Sequence, residues 1–262
     1  MPPIRESGRS DAASDDGSSR SVLGVRFEGT QELRGAEFVD VDMSGAQFRN
    51  VNLAGARLKE AVLAGVRMSG LIDGLVVNDV EVAPLIQAEM ERRYPERAKL
   101  SPADAAGVRD AWAVIEDLWS ATKQRAEGLP DETRRARVDG EWSLLETLRH
   151  LVFVTDVWVG RNGLGRHDHF HPVGLVPTFI ADLSSFGGLD PDADPAYDEV
   201  VAAREDRMGS VAELVADIDD AALARSGDGG DHTLLQCLHV VFDEEWHHNW
   251  YANRDLDTLT TA

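Results

Sequence analysis

From Leu33 onward, large apolar residues recur at every fifth position: Leu33, Phe38, Met43, Phe48, Leu53, Leu58, Leu63 and Met68. Small apolar residues stand two positions before them, at Ala36, Val41, Ala46, Val51, Ala56, Ala61 and Val66, and glycine recurs at 35, 45, 55 and 65. A helix repeats every ~3.6 residues and a strand every second residue, so neither explains a period of five. The pattern fits a square coil whose faces are each five residues long, with the large side chain filling the axis and the small one beside it. Ahead of it, residues 1–24 are polar and rich in Ser, Gly and Asp, which predicts a disordered tail.

This coupled pattern resembles the pentapeptide-repeat proteins. The resemblance implies a right-handed β-helix with four faces per coil, spanning 33–72 within a repeat domain at 25–80. Some members of that family imitate DNA through a long acidic rod and bind topoisomerases. Here the coil is short, and residues 1–81 carry 9 basic and 13 acidic side chains, too nearly neutral for that role. Few repeats cannot bury a continuous core alone, so the coil is expected to pack on the next domain or to dock a protein partner.

Beyond it the period becomes helical. Residues 81–99 read as a connecting segment with a short helix over 84–94, stopped before Pro95. Ser101-Pro102-Ala103-Asp104 then reads as a helix start with Ser101 as cap. That helix continues to 127 with Val108, Trp112, Ile115, Trp119 and Thr122 facing inward. A second helix, 143–160, carries the stripe Leu144, Leu148, Leu151, Thr155 and Trp158. Residues 161–195 are long, rich in Gly, Pro and His, and weakly periodic, and a connection of that length is functional or mobile. A third helix over 196–217 presents Val200, Ala203, Arg207, Met208, Val211, Leu214 and Val215, and a fourth runs over 233–254 after a turn at 226–230. Four such helices predict a four-helix bundle over 100–262 and a mainly α fold class.

Composition narrows the function classes. No apolar run is long enough to cross a membrane. The N-terminus lacks the apolar segment of a secretory signal, and Cys237 is the single cysteine, so the cytoplasm is the expected compartment. The net charge of −21 argues against nucleic acid or an anionic membrane as partner. Its bulk, 17 basic against 34 acidic residues, belongs to residues 82–262.

The candidate chemistry lies in Asp243-Glu244-Glu245-Trp246-His247-His248. Residues four apart stand one above the other on a helix, so both Glu244/His248 and Asp243/His247 are spaced to chelate an ion. The stripe Cys237, Val241, Glu244, His248, Tyr251 selects Glu244 and His248 as the inward, buried pair. His150, beside the stripe of the second helix, is the best-placed third ligand. Two imidazoles and a carboxylate form a set typical of catalytic Zn²⁺, and Ni²⁺ or Fe²⁺ also accept it. A Glu–His ion pair without a metal is the alternative. Glu146, one turn before His150, is a candidate to orient it, and Tyr251, one turn past His248, a candidate to face the open coordination position; these two are the catalytic candidates. His167, His169 and His171 in the long connection form a chelating-type run that could cover the site. Cys237 reads as a small buried apolar residue, and Trp142, Trp246 and Trp250 as core and rim aromatics.

The segments Glu141-Trp142-Ser143-Leu-Leu-Glu146-Thr-Leu-Arg149-His150-Leu151 and Asp243 to His248 resemble the two metal-binding helices of the DinB-like superfamily, over about residues 100–258. They are most similar to the branch that includes mycothiol-dependent maleylpyruvate isomerase. More typical members carry His at the first position of the fourth-helix pair, where Glu244 stands here. The resemblance implies a divalent metal on His150, Glu244 and His248 that activates a low-molecular-weight thiol such as mycothiol or bacillithiol. It thereby implies a small-molecule substrate and S-transfer or thiol-dependent isomerisation. The isomerase carries a further domain that this sequence does not show, which sets maleylpyruvate aside as substrate. A metal-dependent hydrolase, and a binding module whose metal is structural, are the competing classes.

Overall fold

The computed structural model describes residues 33–49, 51–167, 170–177, 180, 182–227 and 230–261, so the tail expected over 1–24 lies outside the described residues. The chain divides into two compact units, Met1–Ala56 and Arg57–Ala262.

In the described part of the first unit a hydrogen-bonded turn recurs every ten residues. The amides of Ala36, Ala46 and Ala56 donate to the carbonyls of Leu33, Met43 and Leu53 at 3.0, 3.0 and 2.9 Å. The third residue of each turn is a left-handed glycine (Gly35, Gly45 and Gly55, φ +75 to +76), a conformation that a Cβ disfavours. Between the first two turns Asp40 is also left-handed, at φ +53. The left-handed corners at 35, 40, 45 and 55 thus fall in step with the five-residue period. The filled axis does not: Phe38 and Phe48 remain 58% and 59% exposed. A side chain on the axis is enclosed by coils above and below, and so short a run of repeats supplies too few layers.

The second unit opens on the last repeats, with left-handed Glu60 and Gly65. A two-residue hairpin follows that the sequence reading missed, β1 (Val76–Val77) pairing antiparallel with β2 (Val80–Glu81). Asn78 and Asp79 turn it with φ of +49 and +64, the pair of positive values that a tight hairpin demands. Helix α1 (Ala83–Arg93) buries no residue and leads through a short 3₁₀ turn, Pro95–Lys99, to the bundle.

Four helices enclose the main core: α2 (Ala105–Glu127), α4 (Leu144–Thr155), α5 (Tyr197–Asp217) and α7 (Leu234–Thr261), with short α3 (Asp131–Arg135) and α6 (Asp220–Leu223) between them. Their starts are chemical. Asp104, not Ser101, caps α2: its carboxylate accepts the Gly107 amide at 2.8 Å, which starts the helix after Pro102 rather than at it. Ser143 and Glu146 form a reciprocal capping box on α4, and Thr233 and Gln236 do the same for α7, at 3.3 and 2.8 Å. The predicted stripe of α2, from Val108 to Thr122, is buried throughout.

Two stripes differ from expectation. On α7 the inward line is Leu238, Phe242, Glu245, Asn249, Ala252 and Leu256 together with Cys237, Val241 and Trp246. Over the full helix the bulky apolar residues outweigh the shorter run used to set the face, and Glu245 becomes the fully buried carboxylate. It survives there by pairing with buried Arg204 of α5, while Asn249 donates to Thr122 Oγ1 at 2.8 Å. On α5, Arg204 is buried and Arg207 less so. Helix α4 ends at Thr155 and continues as a π-helical stretch, Asp156–Gly163, which advances the face by one residue and brings Val157 and Val159 inside.

Candidate metal centre

The capping box starts α4 so that His150 comes two turns later on the face toward α7, where it is buried. Its Nδ1 lies 3.1 Å from the carbonyl of Leu175. A carbonyl only accepts, so Nδ1 carries a proton toward it. The ring's Nε2 faces Glu244 Oε2 at 3.5 Å. From one turn further along α7, His248 Nε2 approaches the same oxygen at 3.1 Å. The three donors lie within 4.8 Å of one another, the one such group of His, Cys, Asp or Glu among the described residues.

These separations suit neighbours around one ion with bonds of ~2.0–2.2 Å. The donor set therefore fits a divalent metal. Burial by itself would raise the Glu244 carboxyl, but hydrogen bonds from His150 and His248 outweigh it and hold the group well below the usual carboxylate range. Burial, joined by the nearby His150 ring, lowers His248 against the pull of Glu244 and favours the neutral, ligating imidazole. Glu244 is not the sealed residue expected: its side chain is 35% exposed, so the centre sits at the margin of the core and opens to solvent. The rotation of α7 that buries Glu245 is the cause.

A family model of the DinB superfamily matches residues 115–252, and one of pentapeptide repeats matches residues 32–71 in eight copies.

The chain belongs to the DinB superfamily.

DinB proteins are in general metal-binding, and the residues that carry the resemblance, His150, Glu244 and His248, are those brought together here. No curated protein and no solved structure matches the chain. Around the DinB centre stand aromatic rings. Trp142 lies 4.6 Å from the His150 ring and stacks on His248 at 5.9 Å. Tyr251 meets His248 edge-on at 6.2 Å, and the Arg254 guanidinium sits 5.1 Å over the Tyr251 ring. Burial first, then Glu141, raises the Tyr251 phenol and keeps it a donor.

The other candidates lie apart from this group. Glu146 does not orient His150: its carboxylate accepts from the Ser143 amide and hydroxyl at 2.9 Å and pairs with Arg137. The Ser143-x-x-Glu146 spacing announces that role as a capping box. The partner of His150 is a loop carbonyl, which no side-chain pattern discloses. His171 Nδ1 accepts the Val173 amide at 3.2 Å within its own turn. His167 is exposed, and His169 lies outside the described residues. His247 bonds back to Asp243, at 2.9 Å to its carbonyl and 3.2 Å to its carboxylate, a pair without a third donor among the described residues. Cys237 is buried and burial raises its thiol, which leaves it unreactive.

Proposed function

We propose that the protein is a divalent-metal-dependent enzyme that activates a low-molecular-weight thiol of the mycothiol or bacillithiol type. It would transfer the sulfur to a small electrophile or isomerise the resulting adduct, in the cytoplasm where such thiols are kept reduced. The observation that carries the reading is the convergence of His150, Glu244 and His248, with no fourth protein donor in the group among the described residues, on the solvent-facing margin of the bundle. Three ligands leave a position for substrate, as in catalytic rather than structural zinc sites. Zn²⁺ suits the set best, and Ni²⁺ or Fe²⁺ fit it too. When bound, the ion supplies the charge that deprotonates a coordinating thiol and leaves the nucleophilic thiolate.

The chain's own residues do the rest. The Leu175 carbonyl holds His150 Nδ1, so Nε2 is the ring nitrogen turned to the centre. Glu244 offsets part of the cationic charge. Trp142 screens one flank from water, and the neutral Tyr251 hydroxyl is a donor on the same helix as the ligands.

The test is the metal content of protein purified without chelator, beside His150→Ala and Glu244→Ala. The natural chain is expected to hold about one equivalent and both variants to lose it; adding thiol should then perturb the absorption spectrum of the Co²⁺-substituted protein. No metal, and a melting temperature indifferent to added Zn²⁺ or Ni²⁺, would sink the proposal. A metal that binds but ignores thiol would favour the structural-metal reading, and turnover without thiol a hydrolase.

A further inference from the structure

The long connection before α5 is fastened to the back of the metal centre. Arg149 Nε donates to the Val173 carbonyl at 2.8 Å, the Leu175 amide donates to the Arg149 carbonyl at 3.1 Å, and the Leu175 carbonyl receives His150 Nδ1. Three bonds thus pin residues 173–175 to consecutive positions of α4. The strap is tight: a Cβ on Gly174 would come within 2.7 Å of Leu189 Cδ2 and 3.2 Å of the His171 carbonyl. Val173 is buried, and a turn closes on it, with the Gly174 amide donating to the His171 carbonyl at 2.9 Å.

What fixes the other end of this strap is Asp156, the first residue of the π-helical stretch and almost fully buried. Its Oδ2 accepts the His171 amide at 2.8 Å, and its Oδ1 accepts Arg207 Nε of α5 at 2.6 Å. One carboxylate therefore joins the π-helical stretch, α5 and the start of the strap. It lies six residues from His150 along the chain and touches none of the three ligands.

We propose that Asp156, held by Arg207, is a positioning residue for the metal centre: through residues 171–175 it keeps the Leu175 carbonyl on His150 Nδ1 and so keeps Nε2 turned toward Glu244. The inference rests on the metal-centre reading, but its first consequence, a strap whose Leu175 amide stays bonded to the Arg149 carbonyl, is a property of the metal-free protein. Hydrogen bonds to the far nitrogen of a ligating imidazole set its tautomer and its basicity, and losing such support lowers metal affinity about 10–100-fold.

The experiment uses the full chain with Asp156→Asn and Arg207→Gln, and with Val211→Ala as a control in the main core cluster rather than the one around Val173. Amide hydrogen exchange of the metal-free proteins reads the Leu175 amide, and competition with a chelating indicator reads Zn²⁺ affinity. Natural protein and Val211→Ala should protect that amide and bind Zn²⁺ with equal affinity. Asp156→Asn and Arg207→Gln should lose the protection and bind Zn²⁺ at least about tenfold more weakly. A protected Leu175 amide and unchanged affinity in both strap variants would overturn the proposal, as would an equal loss in Val211→Ala. Should Asp156→Asn fail to fold, Arg207→Gln alone carries the comparison. If the natural chain binds no Zn²⁺, the metal reading fails, and the exchange measurement decides the strap by itself.

Discussion

At Glu244 and His248 the ionisation of one residue is set by its neighbours. Both groups are depressed, the carboxyl from its ordinary 4.5 and the imidazole from its ordinary 6.5. An unfolded chain takes up a proton at each ordinary value while the folded chain still refuses it, so protons favour unfolding there. The metal-free protein should therefore lose melting temperature as pH falls below 6.5, and lose more below 4.5, being level above them as far as these two groups decide. Zn²⁺ affinity shares the sign, because a protonated imidazole cannot ligate. For His248 the competition begins below 6.5 rather than at it. Thermal melts and Zn²⁺ titrations across this range read both quantities; a melting temperature that rises on acidification from about 7 to about 6 contradicts the argument. At this scale the sequence was informative. Four-residue spacing placed Glu244 over His248, and the neighbourhood of Leu148 and Leu151 placed His150 on the facing helix. Their solvent access was misjudged, since that depends on how the whole helix is rotated.

The rotation of α7 is an element-scale matter. Its inward face was read from Cys237 to Tyr251, yet the helix extends to Thr261, and Phe242, Ala252 and Leu256 pull the face toward Glu245. Burying a carboxylate is tolerated only with a partner, and Arg204 of α5 supplies it. Removing one member of such a pair leaves the other charge stranded and costs about 3–5 kcal/mol, whereas replacing both by apolar residues of similar size is often neutral. Glu245→Ala should thus destabilise the bundle by about 3–5 kcal/mol, and Glu245→Met with Arg204→Met by clearly less. Denaturant unfolding of the three proteins tests this; a double variant as unstable as the single one would show that the pair itself, and not a stranded charge, holds α5 against α7. The π-helical stretch was illegible for a related reason. Residues 143–160 keep an apolar rhythm, and the register advance at Asp156 follows from tertiary bonds to Arg207 and to the His171 amide.

On the scale of the whole molecule, the bundle could be read from periodicity and the repeat segment from its period of five. The strap could not, because what it contributes to the centre is the Leu175 carbonyl, and every residue type carries one. The repeat corners were legible in Gly35, Gly45 and Gly55, but the enclosure of the axis was not, since it depends on the number of layers. All the parts assigned to the metal centre, from Trp142 through the strap to Tyr251, belong to the second unit, Arg57–Ala262. Deleting residues 1–56 should therefore leave Zn²⁺ stoichiometry at about one and affinity within about threefold, while removing the exposed apolar side chains of Phe38, Val39 and Phe48. Metal binding by the shortened chain, measured beside the full one, separates two roles. Retained binding with unchanged thiol dependence would assign the first unit to docking or stability. A loss of binding in a chain that still melts cooperatively would mean that the repeat unit supports the centre, and the division of labour argued here would then be wrong.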